Sequence, residues 1–204
     1  MAAGKTLDLF KAHKAEYAAK RTAAVVDTRP ARYLAVAGRG EPGGEAFQAA
    51  IGALYSVAFT IKMTRKFAGK GDYKVCPLEA LWWGGRSAQD FLALPRDEWQ
   101  WKLLIRTPDF IEAADLKAAQ SALREKRKPP GFEKVRLETL DEGRCVQILH
   151  VGPYADEPAS VAQMEAFARE QGLKFRGRHH EVYLSDPRRA APERLRTILR
   201  HPVQ

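Results

Sequence analysis

Two short stretches of the chain set acids beside large aromatics at strand spacing, Glu79-Ala80-Leu81-Trp82-Trp83 and Glu181-Val182-Tyr183-Leu184. Successive side chains of a strand point to opposite faces, so Glu181 and Tyr183 share one face, and His180, Val182 and Leu184 the other. The second set is the natural core face, which leaves Glu181 and Tyr183 in the open. If the two stretches are equivalent, Glu79, Leu81 and Trp83 hold the matching positions, and Trp82 points away or closes the strand. Such a surface offers a carboxylate to a cation, or to a water that must lose a proton. Its aromatic faces suit a planar or cationic molecule. The plain alternative is a sheet whose Glu and Tyr simply meet water. The Trp82-Trp83 pair argues against it, because indole suits an interface better than bare solvent. The spacing leaves both readings open.

Other reactive combinations fall away on inspection. His179 and His180 point apart if they are consecutive in a strand, and no acidic or Cys partner stands at ligand spacing, so no metal is expected. Gly38-Arg39-Gly40-Glu41-Pro42-Gly43-Gly44 precedes a helix but lacks the Gly-Lys-Ser/Thr ending of a phosphate loop and reads as a turn. No nucleophilic triad order stands out, and no cofactor is expected. Cys76 and Cys145 are single and far apart, which suits reduced thiols and a cytoplasmic location.

The elements that must carry these residues form a repeat. Arg32 to Gly38 and Arg144 to Gly152 are strand-like and each runs into a turn and a helix. Each helix is followed by a Gly-containing basic turn (Gly69-Lys70-Gly71, Gly177-Arg178), an acid-bearing strand and a closing strand. The closing strands are Leu104-Ile105-Arg106-Thr107-Pro108 and Ile198-Leu199-Arg200-His201-Pro202. Phe47, Ile51, Leu54, Ala58 and Ile61 give the first helix a buried stripe, and Val161, Met164 and Ala168 the second. A further helix at about Ile111 to Lys126 separates the halves. The expected fold is α+β: duplicated β-α-β-β units, each preceded by a short strand (Ala24 to Asp27, Lys134 to Glu138), in one antiparallel sheet. Both long helices would cover one face, leaving a concave groove along the pseudo-two-fold axis of the other. Within a single domain over 1–204, residues 1–22 read as a helical extension, 23–108 as the first repeat, 109–130 as the connecting helix and 131–204 as the second repeat. Leu7 to Lys20 is expected as a helix on the outside.

Composition narrows the function classes. Of 204 residues, 45% are hydrophobic and 29% charged, an ordinary globular balance. No run approaches the roughly 20 apolar residues of a membrane span. A net charge of +9 makes nucleic acid the first competing partner. The basic residues are dispersed, however, and Arg124 to Lys128 reads as the solvated end of a helix. That disfavours nucleic acid and leaves a monomer or weak dimer as the expected state.

Pro77 to Trp83, Ala53-Leu54-Tyr55-Ser56-Val57-Ala58-Phe59, His150-Val151-Gly152-Pro153-Tyr154 and His180 to Arg189 together resemble the gyrase-inhibitor-like (GyrI-like) small-molecule-binding family. The likeness runs from about Asp8 to Pro202. It implies the duplicated fold reached above, and a bulky aromatic ligand, often cationic, held against a central glutamate that corresponds to Glu181, with Tyr183 beside it. Both would be catalytic if the protein resembles the members that open the cyclopropane rings of DNA-alkylating compounds, with Glu181 activating water. Tyr55, Phe59 and Tyr154 join Glu79, Leu81, Trp82 and Trp83 as candidate ligand contacts. A carboxylate in such a cavity is costly to keep charged, and a cationic ligand offsets that cost. Met1 to Ala23 is too short for the DNA-binding module of the family's regulators, so a stand-alone binder is expected. The alternative is a nucleic-acid or protein-interaction module, for example gyrase-directed, acting through the basic surface.

Overall fold

Antiparallel pairing runs through all eight strands of the computed structural model, which describes residues 6–85 and 93–204. Along the chain these are β1 (Ala24–Asp27), β2 (Ala31–Arg39), β3 (Leu78–Trp83), β4 (Gln100–Thr107), β5 (Arg136–Leu140), β6 (Arg144–Val151), β7 (His179–Tyr183) and β8 (Arg196–Pro202). The helices are α1 (Leu9–Ala12), α2 (Lys14–Tyr17), α3 (Glu45–Phe67), α4 (Ala113–Glu125) and α5 (Glu157–Glu170). In space the strands run β1-β6-β8-β7-β3-β4-β2-β5. The order is symmetric about the β7/β3 junction, and each half is a β-α-β-β unit, β2-α3-β3-β4 and β6-α5-β7-β8. The expected α+β architecture is therefore present.

The short strand that precedes each unit along the chain does not stay with it. β1 pairs with β6 of the second unit, and β5 pairs with β2 of the first. Each half of the sheet thus ends on a strand supplied by the chain ahead of the other unit.

The helices bury the stripes their spacing predicts. Phe47, Leu54, Val57, Ala58 and Ile61 of α3 are buried, and the helix packs on β2 and β4. By length and composition alone α3 could cross a membrane, although the sequence reading found no such run; its inner face is part of the core. Val161, Met164 and Ala168 of α5 pack on the β6 side, with Pro158 in the first turn. Leu116, Ala119 and Leu123 of α4 are buried against the α3 layer, and Arg65 of α3 donates to Asp115 at 2.9 Å.

The N-terminal stretch departs from the expected helix. It forms two single turns, α1 and α2, broken at His13; Met1–Lys5 lie outside the described residues. Phe10 stacks on Tyr17 at 4.7 Å, and Tyr17 packs with Val182 and Ile198 on the sheet face away from α3 and α5. The face expected to stay open is covered there.

One glycine is required by close approach. A Cβ on Gly38 would lie 2.2 Å from the indole of Trp101, so the ring lies flat where a side chain would be. Trp101 meets Phe47 edge-on at 5.3 Å, and Phe47 stacks on Trp82 at 5.5 Å. Overpacking a core contact of this kind costs about 1–3 kcal/mol. Gly38→Ala is expected to lose that much stability in urea denaturation, with the fold retained by circular dichroism.

Candidate functional site

The pairing of β3 with β7 decides which side chains meet. Ala80 lies opposite Glu181, and Leu81 opposite His180. Glu181 therefore shares a face with Ala80, Trp82 and Tyr183, whereas Glu79, Leu81, Trp83, His180 and Val182 share the other. The repeat as aligned in the sequence puts Glu79, Leu81 and Trp83 with Glu181 and sets Trp82 apart; the structure reverses both placements. The cause is a slip of one residue in matching the halves. Ile105 and Leu199 are corresponding helix-side core residues, and their ladder partners are Leu78 and Glu181. The counterpart of Glu181 is thus Leu78, and a one-residue shift sends every strand side chain to the opposite face.

Glu181 and Tyr183 face the helix-bearing side. There α3 packs chiefly on β2 and β4 and α5 on β6, so the central strands β3 and β7 lie between the two helices. Tyr183 donates its hydroxyl proton to Glu181 Oε2 at 2.6 Å, and Trp82 Nε1 donates to the Tyr183 hydroxyl at 3.3 Å. His179 Nε2 lies 3.4 Å from Glu181 Oε1. Burial, then the Glu181 carboxylate, push the Tyr183 phenol well above its usual range, so it stays a donor. Tyr154 meets Tyr183 edge-on at 6.1 Å, and half-buried Trp99 meets Trp82 edge-on at 5.7 Å. Tyr55 reaches the backbone of Leu78 and stacks on the exposed Phe59 at 6.1 Å. The GlyPro turn that carries Tyr154 is fixed by His150, which contacts Ser160 Oγ at 2.9 Å and the Pro153 carbonyl at 3.1 Å.

A second acid on this face has no signal in the sequence. Glu157, the first residue of α5, is bonded to Thr197 and has its Oε1 buried without a hydrogen-bond partner among the described residues. Burial, then the charge of Glu181, push its carboxyl well above the usual range, opposed only by Thr197. Glu157 is therefore harder to ionise than an ordinary glutamate, with Glu181 as its charged neighbour. In the sequence it looks like an acid complementing a helix N-terminus, and nothing in Asp156-Glu157-Pro158 says otherwise. Tyr154, next to both acids, is pushed up to about 12, first by burial.

The reverse face holds a closed polar ring. Tyr17 donates to Glu79 Oε1 at 3.0 Å, and Arg106 donates to Glu16 at 2.7 Å and to the Tyr17 hydroxyl at 3.3 Å. His180 lies 3.1 Å from Glu79 and 2.8 Å from Glu142. Arg200 is 3.7 Å from Glu142, donates to Gln147, and returns to the Glu16 carbonyl. Three acids alternate with Arg106, His180 and Arg200, and Glu79 and His180 have no exposure to solvent. Glu79 is thus paired within the core, on the face opposite Glu181. Leu81 is buried with Tyr33 and Leu104. The face of Trp83 is occupied by Arg178, whose guanidinium lies 3.7 Å from the ring centroid. The two histidines point apart as alternation requires, but each meets an acid contributed by distant sequence or by its own strand.

Comparisons with known proteins agree with this architecture. The family profile of the GyrI-like small molecule binding domain matches residues 24–204. A crystal structure of an uncharacterized conserved protein from Listeria innocua is 38% identical, covers 98% of this chain and 100% of its own, and superposes with a TM-score of 0.90. A crystal structure of a hydrolase from the same organism is 37% identical with the same coverage and a TM-score of 0.87. The EcmrR C-terminal domain shares the fold at 10% identity and a TM-score of 0.56, with 90% of this chain and 97% of that one covered. A comparison with curated proteins found no match.

The buried ring sets a pH dependence. Burial works against a charge on His180, but Glu142 and Glu79 overcome it and hold the imidazole at about 9, above its ordinary 6.5. A raised folded-state value stabilises fully below the unfolded value and is lost as pH rises through the folded one. Burial also opposes the Glu142 carboxylate, but His180 and Arg200 hold it below the usual range; its contribution is present at neutral pH and lost on acidification. Thermal stability is therefore expected to decline from pH 6.5 through about 9. His180→Gln should flatten that alkaline slope and cost about 3–5 kcal/mol, because two buried carboxylates lose their charged partner. Melting curves across pH check both.

Proposed function

The chain belongs to the GyrI-like family of small molecule binding domains, and we propose that it takes a bulky aromatic ligand, cationic or electrophilic, into the groove against Glu181. The observation that carries this reading is a buried carboxylate held by Tyr183 within aromatic walls and accompanied by a second buried acid, Glu157, that burial and the Glu181 charge push upward. A cation there neutralises Glu181 and gains cation–π contact with Tyr154 and Tyr183. Trp83, already covered by Arg178, contributes nothing to it. The proposed setting is the cytoplasm, where the buried Cys76 and Cys145 stay reduced.

For an electrophile with a strained cyclopropane ring the same groups provide acid and base. Glu181 takes a proton from water as its oxygen bonds to the strained carbon. The carbon–carbon bond of the ring breaks, and its electron pair moves into the conjugated acceptor. Glu157 delivers its proton to that acceptor, so the net change is addition of one water. Tyr183 and Trp82 orient Glu181 and transfer no proton in this scheme. The relative described as a hydrolase, 37% identical over its full length, supports testing this activity first.

A rhodamine-type dye is expected to quench tryptophan fluorescence saturably, with affinity at least tenfold lower in Glu181→Gln. Binding unaffected by that change but abolished by moderate salt would instead favour a phosphate-binding basic surface. Mass spectrometry of a cyclopropane-bearing aromatic substrate should show addition of water. Loss of a general acid typically costs about 10²–10⁴ in rate. Glu157→Gln is therefore expected to lose that activity while binding the dye within about twofold of the parent, and the rate should fall on the alkaline side as Glu157 loses its proton. An unchanged substrate would leave binding alone.

A further inference from the structure

Behind β7, on the sheet face away from the groove, lies a second cavity of about 490 Å³. Such a volume is within the range of small-molecule sites. Its apolar wall is Phe10, Val75, Pro77, Leu149 and Leu184, with the ring of Tyr17 beside them. Val182 and Ile198, both fully buried, pack with Tyr17, Phe10, Leu149 and Leu184 in one cluster that underlies it. The N-terminal stretch forms one side of the cavity and is tied down by main-chain bonds between Leu7 and residues 72 and 74.

The charges around this cavity are unequal. Asp8 is already satisfied: it lies 3.1 Å from Lys74 Nζ and accepts from the backbone of Lys11 at 3.2 Å. Arg196, at the start of β8, also lines the cavity. Its main-chain N–H bonds to Ser185, and among the described residues its guanidinium has no acidic partner. Among the described residues no other acid lines the cavity. Cys76 backs it with a thiol that burial pushes up to about 12, so covalent capture is disfavoured. The groove presents acids and aromatics. The reverse cavity presents an apolar wall and an unneutralised guanidinium.

We propose that this reverse cavity is a second ligand site, taking an amphipathic monoanion, such as a medium-chain carboxylate, with its tail along Phe10, Leu149 and Leu184 and its head on Arg196. Strand β7 then separates two sites of opposite charge preference, Glu181 and Tyr183 facing one, and Val182 and Leu184 the other. The proposal is independent of what occupies the groove.

Isothermal titration of the full chain with dodecanoate, dodecanol and dodecyltrimethylammonium, each below its micelle concentration, tests it. Dodecanoate should bind saturably at one per chain and at least tenfold more tightly than the other two. Arg196→Glu, an exposed position that leaves the core intact, should weaken dodecanoate at least tenfold and leave the rhodamine-type dye unaffected. Glu181→Gln should leave dodecanoate within twofold of the parent. Equal affinity for dodecanoate and dodecanol, several unsaturable sites, no binding, or a loss in Glu181→Gln without one in Arg196→Glu would each overturn the assignment.

Discussion

Four ladder pairs between β3 and β7, from Glu79 opposite Val182 to Trp82 opposite His179, join the two halves of the sheet. Their register fixes everything at the centre of the molecule. It puts Glu181 and Tyr183 under the gap between α3 and α5, and it sends Glu79 and His180 to the other side. Because side chains alternate strictly, neither assignment can change without the other. The backbone is close to two-fold symmetric there, but the chemistry is not: the position equivalent to Glu181 carries Leu78.

The buried ring on the reverse face is the electrostatic counterpart of that register. Buried ions are poor sources of net stability, but a ring in which each acid touches a base defines one arrangement of the strands that carry them. Arg106 and Arg200 sit at matching places in β4 and β8, and His180 lies between Glu79 and Glu142. A slip of either central strand would leave a charge unpaired in the core. The ring thereby helps hold the register that places Glu181 and Tyr183, and the tie from α2 through Glu16 and Tyr17 brings the N-terminal stretch into the same arrangement.

Much of this fold was legible in the sequence, because hydrophobic spacing in α3, α4 and α5 and the matching order of elements are local signals. The strand carrying Glu181 and Tyr183 was legible for the same reason. What failed was long-range. The alignment of Glu79 with Glu181 paired two similar residues, whereas the real correspondence pairs Glu181 with Leu78, a match of backbone position between unlike side chains. The partner of β1 could not be inferred from a four-residue strand, and the broken N-terminal helix is shaped by the sheet it covers. Glu157 was hidden because an acid in a first helical turn is ordinary, and only the nearness of Glu181 makes it unusual.

The exchange of edge strands bears on how the chain reaches this state. β1 finds its partner only once β6, more than a hundred residues later, has been made, and β2 waits for β5 from beyond α4. Pairings this distant in sequence are slow to form, since the loop must close before contacts reward it. A nascent first half would emerge with the outer edge of β2 unpaired and with β1 lacking its partner, a form prone to sticking to its neighbours. Two copies folding at once could satisfy the same pairings across molecules, so early closure of each chain on itself is what keeps the exchanged edge strands within one molecule.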